Sequence, residues 1–119
     1  MPDSVSSCDA QSELFEGAYY SIADGSRFNI AKVLKLDLYI VHVRIYKQHF
    51  PVRPRMVDLA ALTLGTTHDK DGFGVGHLPL RLEVFKKREP IFVTYAKVQS
   101  EELEGYNFWK ENADGGVWE

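Results

Sequence analysis

The sequence contains a single cysteine, Cys8, so it cannot form an internal disulfide, which suits a reducing compartment. It also lacks any apolar run near the ~20 residues that a membrane-spanning helix needs, because charged side chains interrupt the richest stretch, residues 34–45. The N-terminus has neither the basic nor the apolar segment of a signal peptide. These absences predict a cytoplasmic protein that makes no membrane contact.

The patterns that catalysis and metal binding require are missing as well. There is no Gly-x-Ser-x-Gly elbow, and Gly74-Val-Gly76 has no third glycine for a dinucleotide fingerprint. His68 and His77 stand too far apart for the usual zinc spacing. The segment that starts at Asp69 begins like a calcium loop, but Leu80 occupies the position of its final glutamate. We therefore predict no catalytic residue, no cofactor and no metal site.

Charge is present but unevenly distributed. The 119 residues fit one domain whose core needs no metal or disulfide, and the net charge is −3. Residues 27–55 carry seven basic side chains against one acidic, whereas residues 99–119 carry six acidic against one basic. The basic middle is either an anion-binding face or a set of solvated strand edges, where lysine discourages edge-to-edge pairing. The weakly acidic total argues against nucleic acid as the main partner.

The first half of the chain predicts antiparallel strands. Residues 1–13 are polar and indicate a flexible leader, which leaves residues 14–119 as a single domain. Aromatic and β-branched runs on either side of Asp24-Gly25 are typical of a tight hairpin. The next run, 38–46, alternates, so that its odd-numbered and even-numbered residues face opposite sides. We predict a three-stranded meander from Gly17 to Phe50.

The second half mixes both types of structure. Residues 56–64 fit a strand or a short helix, residues 66–76 indicate a loop, and residues 81–88 fit a single helical turn. A further strand is predicted at 91–98. Ser100 then resembles the N-cap of a helix that reaches Asp114 and docks on the sheet through its aromatic residues. The prediction is an α+β fold: mainly an antiparallel sheet or a small half-open barrel, with one C-terminal helix packed on it.

Two groups of residues are candidates for binding a partner. Arg44, Tyr46 and Arg53 form a basic and aromatic cluster, and Arg and Tyr are common anchors of protein–protein contacts. The alternative is that Arg44 lies on a solvated strand face and pairs with a helix glutamate. His77 is interpreted as a structural, buried histidine that bonds a turn backbone. The second group comprises the acidic residues at the start of the C-terminal helix: Glu101, Glu102 and Glu104.

The order of several short segments also carries a resemblance. They include Gly17-Ala-Tyr-Tyr-Ser-Ile-Ala-Asp-Gly-Ser-Arg-Phe28, Val41-His-Val-Arg-Ile-Tyr46, Gly76-His-Leu-Pro-Leu80 and Glu102-Leu-Glu-Gly-Tyr106. Over about residues 15–119 this succession resembles the bacterial immunity protein 26 family, small proteins associated with polymorphic-toxin systems. The resemblance implies a non-catalytic protein that occludes a cognate toxin. The acidic helix would then suit a basic nuclease toxin.

Other functions stay open at this level. The main alternative is a small β-barrel module that binds a peptide, a nucleic acid or a small ligand through the basic middle segment. A structural role with homodimerisation through an exposed strand edge is compatible with either function. An enzymatic function has no support, because no titratable pair in a predicted pocket is evident.

Overall fold

The computed structural model of the protein describes residues 14–37, 39–65 and 74–111, together with Val117. The predicted leader at 1–13 and most of the predicted loop at 66–76 lie outside these residues. So do residues 112–114, the predicted end of the C-terminal helix.

Three consecutive strands form the centre of the sheet and confirm the predicted meander. They are β1 (Ala18–Asp24), β2 (Arg27–Leu36) and β3 (Ile40–Phe50), each antiparallel to the next. Gly25 closes the first hairpin with a φ of 65°, a left-handed conformation that glycine adopts without steric cost. Asp24-Gly25 predicts this turn because most residues other than glycine would be strained at the positive φ of position 25.

Two outer strands complete a five-stranded antiparallel sheet in the order β4-β3-β2-β1-β5. They are β4 (Val75–Arg81) and β5 (Ile91–Tyr95), and the helical turn α1 (Leu82–Lys86) connects them across one face of the sheet. Within the described residues, the sheet is open at both edges and does not close into a barrel. Residues 96–98, predicted as strand, lie beyond the end of β5.

The strand β4 was not predicted, because its sequence contains Pro79 next to a glycine-rich loop. Proline lacks the N–H that a ladder needs, so it normally argues against a strand. Here Pro79 is tolerated because β4 is an edge strand, which pairs only with β3 among the described residues. His77 therefore belongs to a strand and not to a turn.

Both faces of the sheet are packed. The α1 face holds a cluster around Tyr20, Val33, Val43 and the fully buried Phe85 of α1. The opposite face, on which the C-terminal helix α2 (Glu104–Glu111) lies, is called the α2 face and holds a cluster around Tyr19, Ile30 and Tyr46. The alternation predicted for β3 is confirmed, because Val41 and Val43 join the first cluster and Tyr46 joins the second.

An irregular segment covers part of the α2 face. Residues 56–64 form neither of the two predicted structures in full but contain a 3-10 turn, Leu59–Ala61, capped by the Asp58 side chain. Apolar residues of this segment pack against the cluster of Tyr19, Ile30 and Tyr46: Val57, Leu59, Leu62 and Leu64. Periodicity could not identify the segment because its apolar spacing reflects packing on the sheet.

The C-terminal helix covers the rest of the α2 face. It begins as a 3-10 turn, Ser100–Leu103, and continues as α2, Glu104–Glu111. The prediction that Ser100 is the N-cap is wrong by one residue. Gln99 is the cap, because the Glu102 carboxylate accepts the Gln99 backbone N–H at 2.7 Å and completes a capping box.

Candidate partner-binding surface and the polar cluster beneath it

A buried ion pair fixes the start of the C-terminal helix to the sheet. Lys32 of β2 is 2% exposed, and its Nζ lies 2.9 and 3.1 Å from the two carboxylate oxygens of Glu102. The same ammonium group donates to the Lys97 carbonyl at 3.3 Å and lies 5.0 Å from the centre of the Tyr19 ring. Glu102 thus neutralises a charge inside the fold and contributes little to the charge of the outer surface.

Two histidines meet under α2. His42 of β3 is fully buried, and its Nδ1 lies 2.9 Å from Nε2 of His77 on β4. Its other nitrogen, Nε2, lies 3.1 Å from a carboxylate oxygen of Asp37. Since a carboxylate accepts, His42 Nε2 carries the proton and His42 Nδ1 accepts from His77 Nε2–H. Each neutral ring carries one N–H, so Nδ1 of His77 has no proton when both rings are neutral.

The environment keeps both rings neutral. Burial lowers the pKa of His42, although the hydrogen bond and the charge of Asp37 act in the opposite direction. Burial, followed by the neighbouring His42, lowers the pKa of His77 to about 4. The Asp37 carboxylate lies against Nε2 of His42, on the side of that ring away from His77.

Aromatic rings of α2 close over the two histidines. The His42 and His77 rings stack with centroids 5.1 Å apart, and Tyr106 and Trp109 meet His42 edge-on at 4.8 and 4.6 Å. Gly105 allows this close approach, because a Cβ at that position would lie 2.5 Å from Cβ of His77. The helix is therefore held by ring packing at its centre and by the Lys32 pair at its start.

The outer face of the same helix is acidic and carries one aromatic ring. Glu101, Glu104, Phe108 and Glu111 are all exposed and follow each other at intervals of three and four residues, so they share one side. Phe108 is 69% exposed. Lys110 is the basic side chain in the last turn. We call these four residues the α2 ridge.

The structure does not present the predicted basic cluster as an exposed surface. Tyr46 is 7% exposed and stacks with Tyr19 at 6.1 Å, so it lies in the interior and does not present a ring to a partner. Burial raises the pKa of its hydroxyl well above the ordinary value. Arg44 is half-buried and donates from Nε to the Gly76 carbonyl at 3.2 Å. The base that pairs with a helix glutamate is Lys32, and not Arg44 as the alternative interpretation has it.

Arg53 has a structural position as well. One of its terminal nitrogens donates to the carbonyl and the hydroxyl of Ser21, at 2.9 and 2.8 Å, and to the Glu89 carbonyl at 3.0 Å. Its guanidinium lies 4.7 Å from the centre of the Phe28 ring. The side chain is 23% exposed, so it ties the chain after β3 to β1 and leaves little surface for a partner.

The histidine pair was not predicted, although one signal pointed to it. The alternation of β3 placed His42 on the same face as Arg44 and Tyr46, and that face turned out to be the one under α2. The sequence does not identify His77 as its partner, because Pro79 argues against a strand at residues 75–81. The interpretation of His77 as a histidine bonding a turn backbone is wrong, since its ring bonds the ring of His42.

Two negative findings concern the described residues only. None of their helices is long and apolar enough to cross a membrane. Among them, no three residues of the types His, Cys, Asp and Glu form a group suited to a metal ion. Comparison of the chain with protein-family models, with curated proteins and with solved structures finds no match.

Proposed function

We propose that this protein is a non-catalytic, immunity-type inhibitor that binds a basic toxin protein through the α2 ridge. The observation that carries the proposal is the exposed Phe108 among Glu101, Glu104 and Glu111 on a helix that is fixed to the sheet. The resemblance to the immunity protein 26 family supports the same function. Of the residues predicted from sequence, Glu101 and Glu104 remain in the proposed surface, while Glu102 supports it from below.

The ridge has the properties that fast and specific association requires. Three exposed carboxylates against Lys110 give an acidic strip, which attracts a basic surface and raises the rate of encounter. Phe108 supplies an apolar contact that a partner can bury in a pocket. Because the ion pair and the ring packing already order the helix, binding needs little further loss of conformational freedom.

The first experiment identifies the partner. The tagged protein would be used as bait in a lysate of the cells that make it, and a protein captured near one-to-one stoichiometry would be expressed alone. We expect the captured protein to stop growth, and co-expression of this chain to restore it. A captured protein that leaves growth unchanged, or capture of nucleic acid alone, contradicts the inhibitor function.

Charge reversal then tests the surface. Glu101→Lys with Glu104→Lys should slow association with the toxin about tenfold or more at low salt, with a smaller effect at high salt. The matched control is Glu83→Lys with Glu89→Lys, which changes the net charge equally at two exposed positions away from α2. Stopped-flow association rates for the two double variants should differ. Equal rates would place the interface elsewhere.

One observation favours the alternative function of a ligand-binding module. A groove of about 670 Å³ lies between the end of β3 and the 3-10 turn that follows Asp58. Its lining combines polar and charged side chains, among them Lys47, His49 and Asp58, with apolar ones such as Met56 and Leu62. Salt-sensitive binding of generic single-stranded DNA or RNA, with NMR shifts confined to these residues, would favour this function over inhibition.

A further inference from the structure

The contacts that hold α2 on the sheet are separate from the apolar core. Among the described residues, neither of the two apolar clusters includes a residue of α2. The helix contacts the sheet through rings. The centre of the Tyr106 ring lies 4.8 Å from that of His42 and 6.2 Å from that of His77, and Trp109 lies over His42 as well. Segments with few apolar contacts open at a lower free energy than the core. α2 can therefore leave the sheet while the strands and α1 stay packed.

The histidine pair, His42 and His77, has one position for an added proton. Nε2 of His42 donates to the Asp37 carboxylate, and Nδ1 of His42 shares one proton with Nε2 of His77 across 2.9 Å. These three nitrogens hold two protons, and the fourth nitrogen, Nδ1 of His77, holds none. If a third proton binds to either ring and the bond between the rings persists, Nδ1 of His77 becomes protonated. A fourth proton sets two N–H groups against each other and breaks that bond.

This fourth nitrogen lies beneath the helix. A Cβ at Gly105 would stand 3.7 Å from Nδ1 of His77 and 2.5 Å from Cβ of the same residue, so the helix backbone lies directly over His77. Tyr106, the next residue of the helix, is 9% exposed. A positive charge that is enclosed in this way loses its hydration, which costs free energy. Departure of the helix lets water reach the ring and removes this cost.

The charged groups around the histidine pair act in both directions. Lys35 of β2 lies opposite His42 in the strand register, and Arg44 lies two residues further along β3, so two cations oppose a further positive charge. Asp37 favours such a charge, but it contacts His42 at the nitrogen away from the second ring. On α2, Tyr106 is the titratable side chain that faces the pair. The other charged side chains of α2 and β4 in the described part of the chain are exposed: Arg81, Glu104, Lys110 and Glu111.

We propose that the histidine pair is a pH-dependent switch that holds α2 on the sheet while both rings are neutral and releases the helix when mild acid adds a proton. The ion pair of Lys32 with Glu102 is the hinge, because it holds the 3-10 turn before α2 and includes neither histidine. The switch does not depend on the proposed function. Where that function holds, the switch also controls the α2 ridge, because Phe108 and the acidic residues of α2 move with the helix.

The sign of the effect follows from the two positions of the helix. With α2 docked, burial and then the neighbouring His42 lower the pKa of His77 to about 4. Once α2 has left, the exposed rings titrate near the ordinary pKa of about 6.5. Docking is therefore strongest above about pH 6.5 and weakens as the pH falls toward 4. For His77 alone, the opening equilibrium of α2 should rise roughly twentyfold between pH 7 and pH 5.

Amide hydrogen exchange of the intact protein, measured by NMR without any partner, tests the switch. Exchange rates divided by the intrinsic rates at each pH give the opening equilibrium of each protected amide. We expect the amides of α2 to be less protected than those of β2 at every pH. Their protection should fall roughly twentyfold between pH 7 and pH 5. Equal protection of α2 and β2, or protection of α2 that does not change with pH, overturns the proposal.

Two variants assign the effect to the histidine pair. His77→Gln removes the titrating ring over which Gly105 lies, so the fall in α2 protection with pH should become smaller. His49→Gln removes an exposed histidine and should keep the wild-type fall. An unchanged fall in His77→Gln also overturns the proposal. If His77→Gln does not fold, the comparison of α2 with β2 in the unaltered protein still decides the question.

Discussion

His42 and His77 show how much a single residue depends on its neighbours in this fold. Either ring alone, on a sheet face, would be an ordinary half-buried histidine. Together the two neutral rings form a stack in which Nδ1 of His42 lies 2.9 Å from Nε2 of His77, and Asp37 bonds the other nitrogen of His42. Aromatic rings of α2 lie above this pair. Both rings have a pKa below the ordinary 6.5, so the folded protein resists protonation where the unfolded chain accepts it.

This pair predicts that the protein loses stability in mild acid. A group whose folded pKa is lowered gives stability that is complete above its unfolded pKa and declines as the pH falls below it. The window runs from about pH 6.5 to about pH 4 for His77, and the slope cannot exceed about 1.4 kcal/mol per pH unit for each histidine. Denaturant unfolding between pH 7 and pH 4.5 measures how the free energy of unfolding changes across this window.

A single variant separates this effect from general acid destabilisation. His77→Gln still offers a donor to His42 Nδ1 but does not titrate, so its stability should fall less steeply between pH 6.5 and pH 4.5. The control is His49→Gln, which removes an exposed histidine of β3 and should keep the wild-type slope. If His77→Gln and the wild type have the same slope, the stacked pair is not the source of the acid sensitivity.

At the scale of elements, the position of the C-terminal helix depends on one ion pair. Lys32 has almost no contact with water, so its charge needs Glu102 as a partner. Glu102 also accepts the Gln99 N–H and so orders the first turn of the helix. The same carboxylate therefore caps the helix and attaches it to β2.

Removal of one charge should cost more than removal of both. Glu102→Gln keeps an acceptor for Gln99 but leaves a buried ammonium without its counter-charge, so we expect a loss of about 3 kcal/mol in the free energy of unfolding. Lys32→Met combined with Glu102→Gln should be more stable than Glu102→Gln alone. Chemical denaturation gives these values, and Glu101→Gln, at an exposed position, is the control. If the double variant loses as much free energy of unfolding as the two single changes added together, Lys32 and Glu102 are not coupled.

The sequence predicts the elements unevenly, and the reasons are physical. The meander is predictable because Asp24-Gly25 and the alternation of β3 are local signals. β4 is not, because Pro79 is compatible with a strand only at an edge, and edge position is a property of the whole sheet. The helix cap shifts from Ser100 to Gln99 because Glu102 turns back toward Gln99, a choice tied to its pairing with Lys32.

The candidate surface is predictable only in part for the same reason. The acids of the helix are visible in sequence, but which of them face outward depends on the docking of α2. Glu101 and Glu104 are exposed, while Glu102 binds Lys32. Arg44, Tyr46 and Arg53 look like a surface cluster in sequence, but residues 56–64 pack on the cluster that contains Tyr46. The two arginines are held by backbone carbonyls, Arg44 by Gly76 and Arg53 by Ser21.

At the scale of the whole molecule, the α2 ridge crosses the centre of the sheet. The helix begins over β2, where Glu102 binds Lys32, and continues over β3 and β4, whose His42 and His77 lie beneath it. A partner that binds the whole ridge therefore spans three strands of the sheet.

The pairing of β1 with β5 has a consequence for the order in which the chain folds. Ala18 lies opposite Tyr95, so this contact joins the first strand to the last, whereas the meander is complete by Phe50. During synthesis, β1 to β3 emerge together and can pair at once, but one side of β1 stays open until nearly the whole chain has been made. We therefore expect closure by β5 to be a late step of folding. Weakening β5 should accelerate unfolding while the rate of folding changes little.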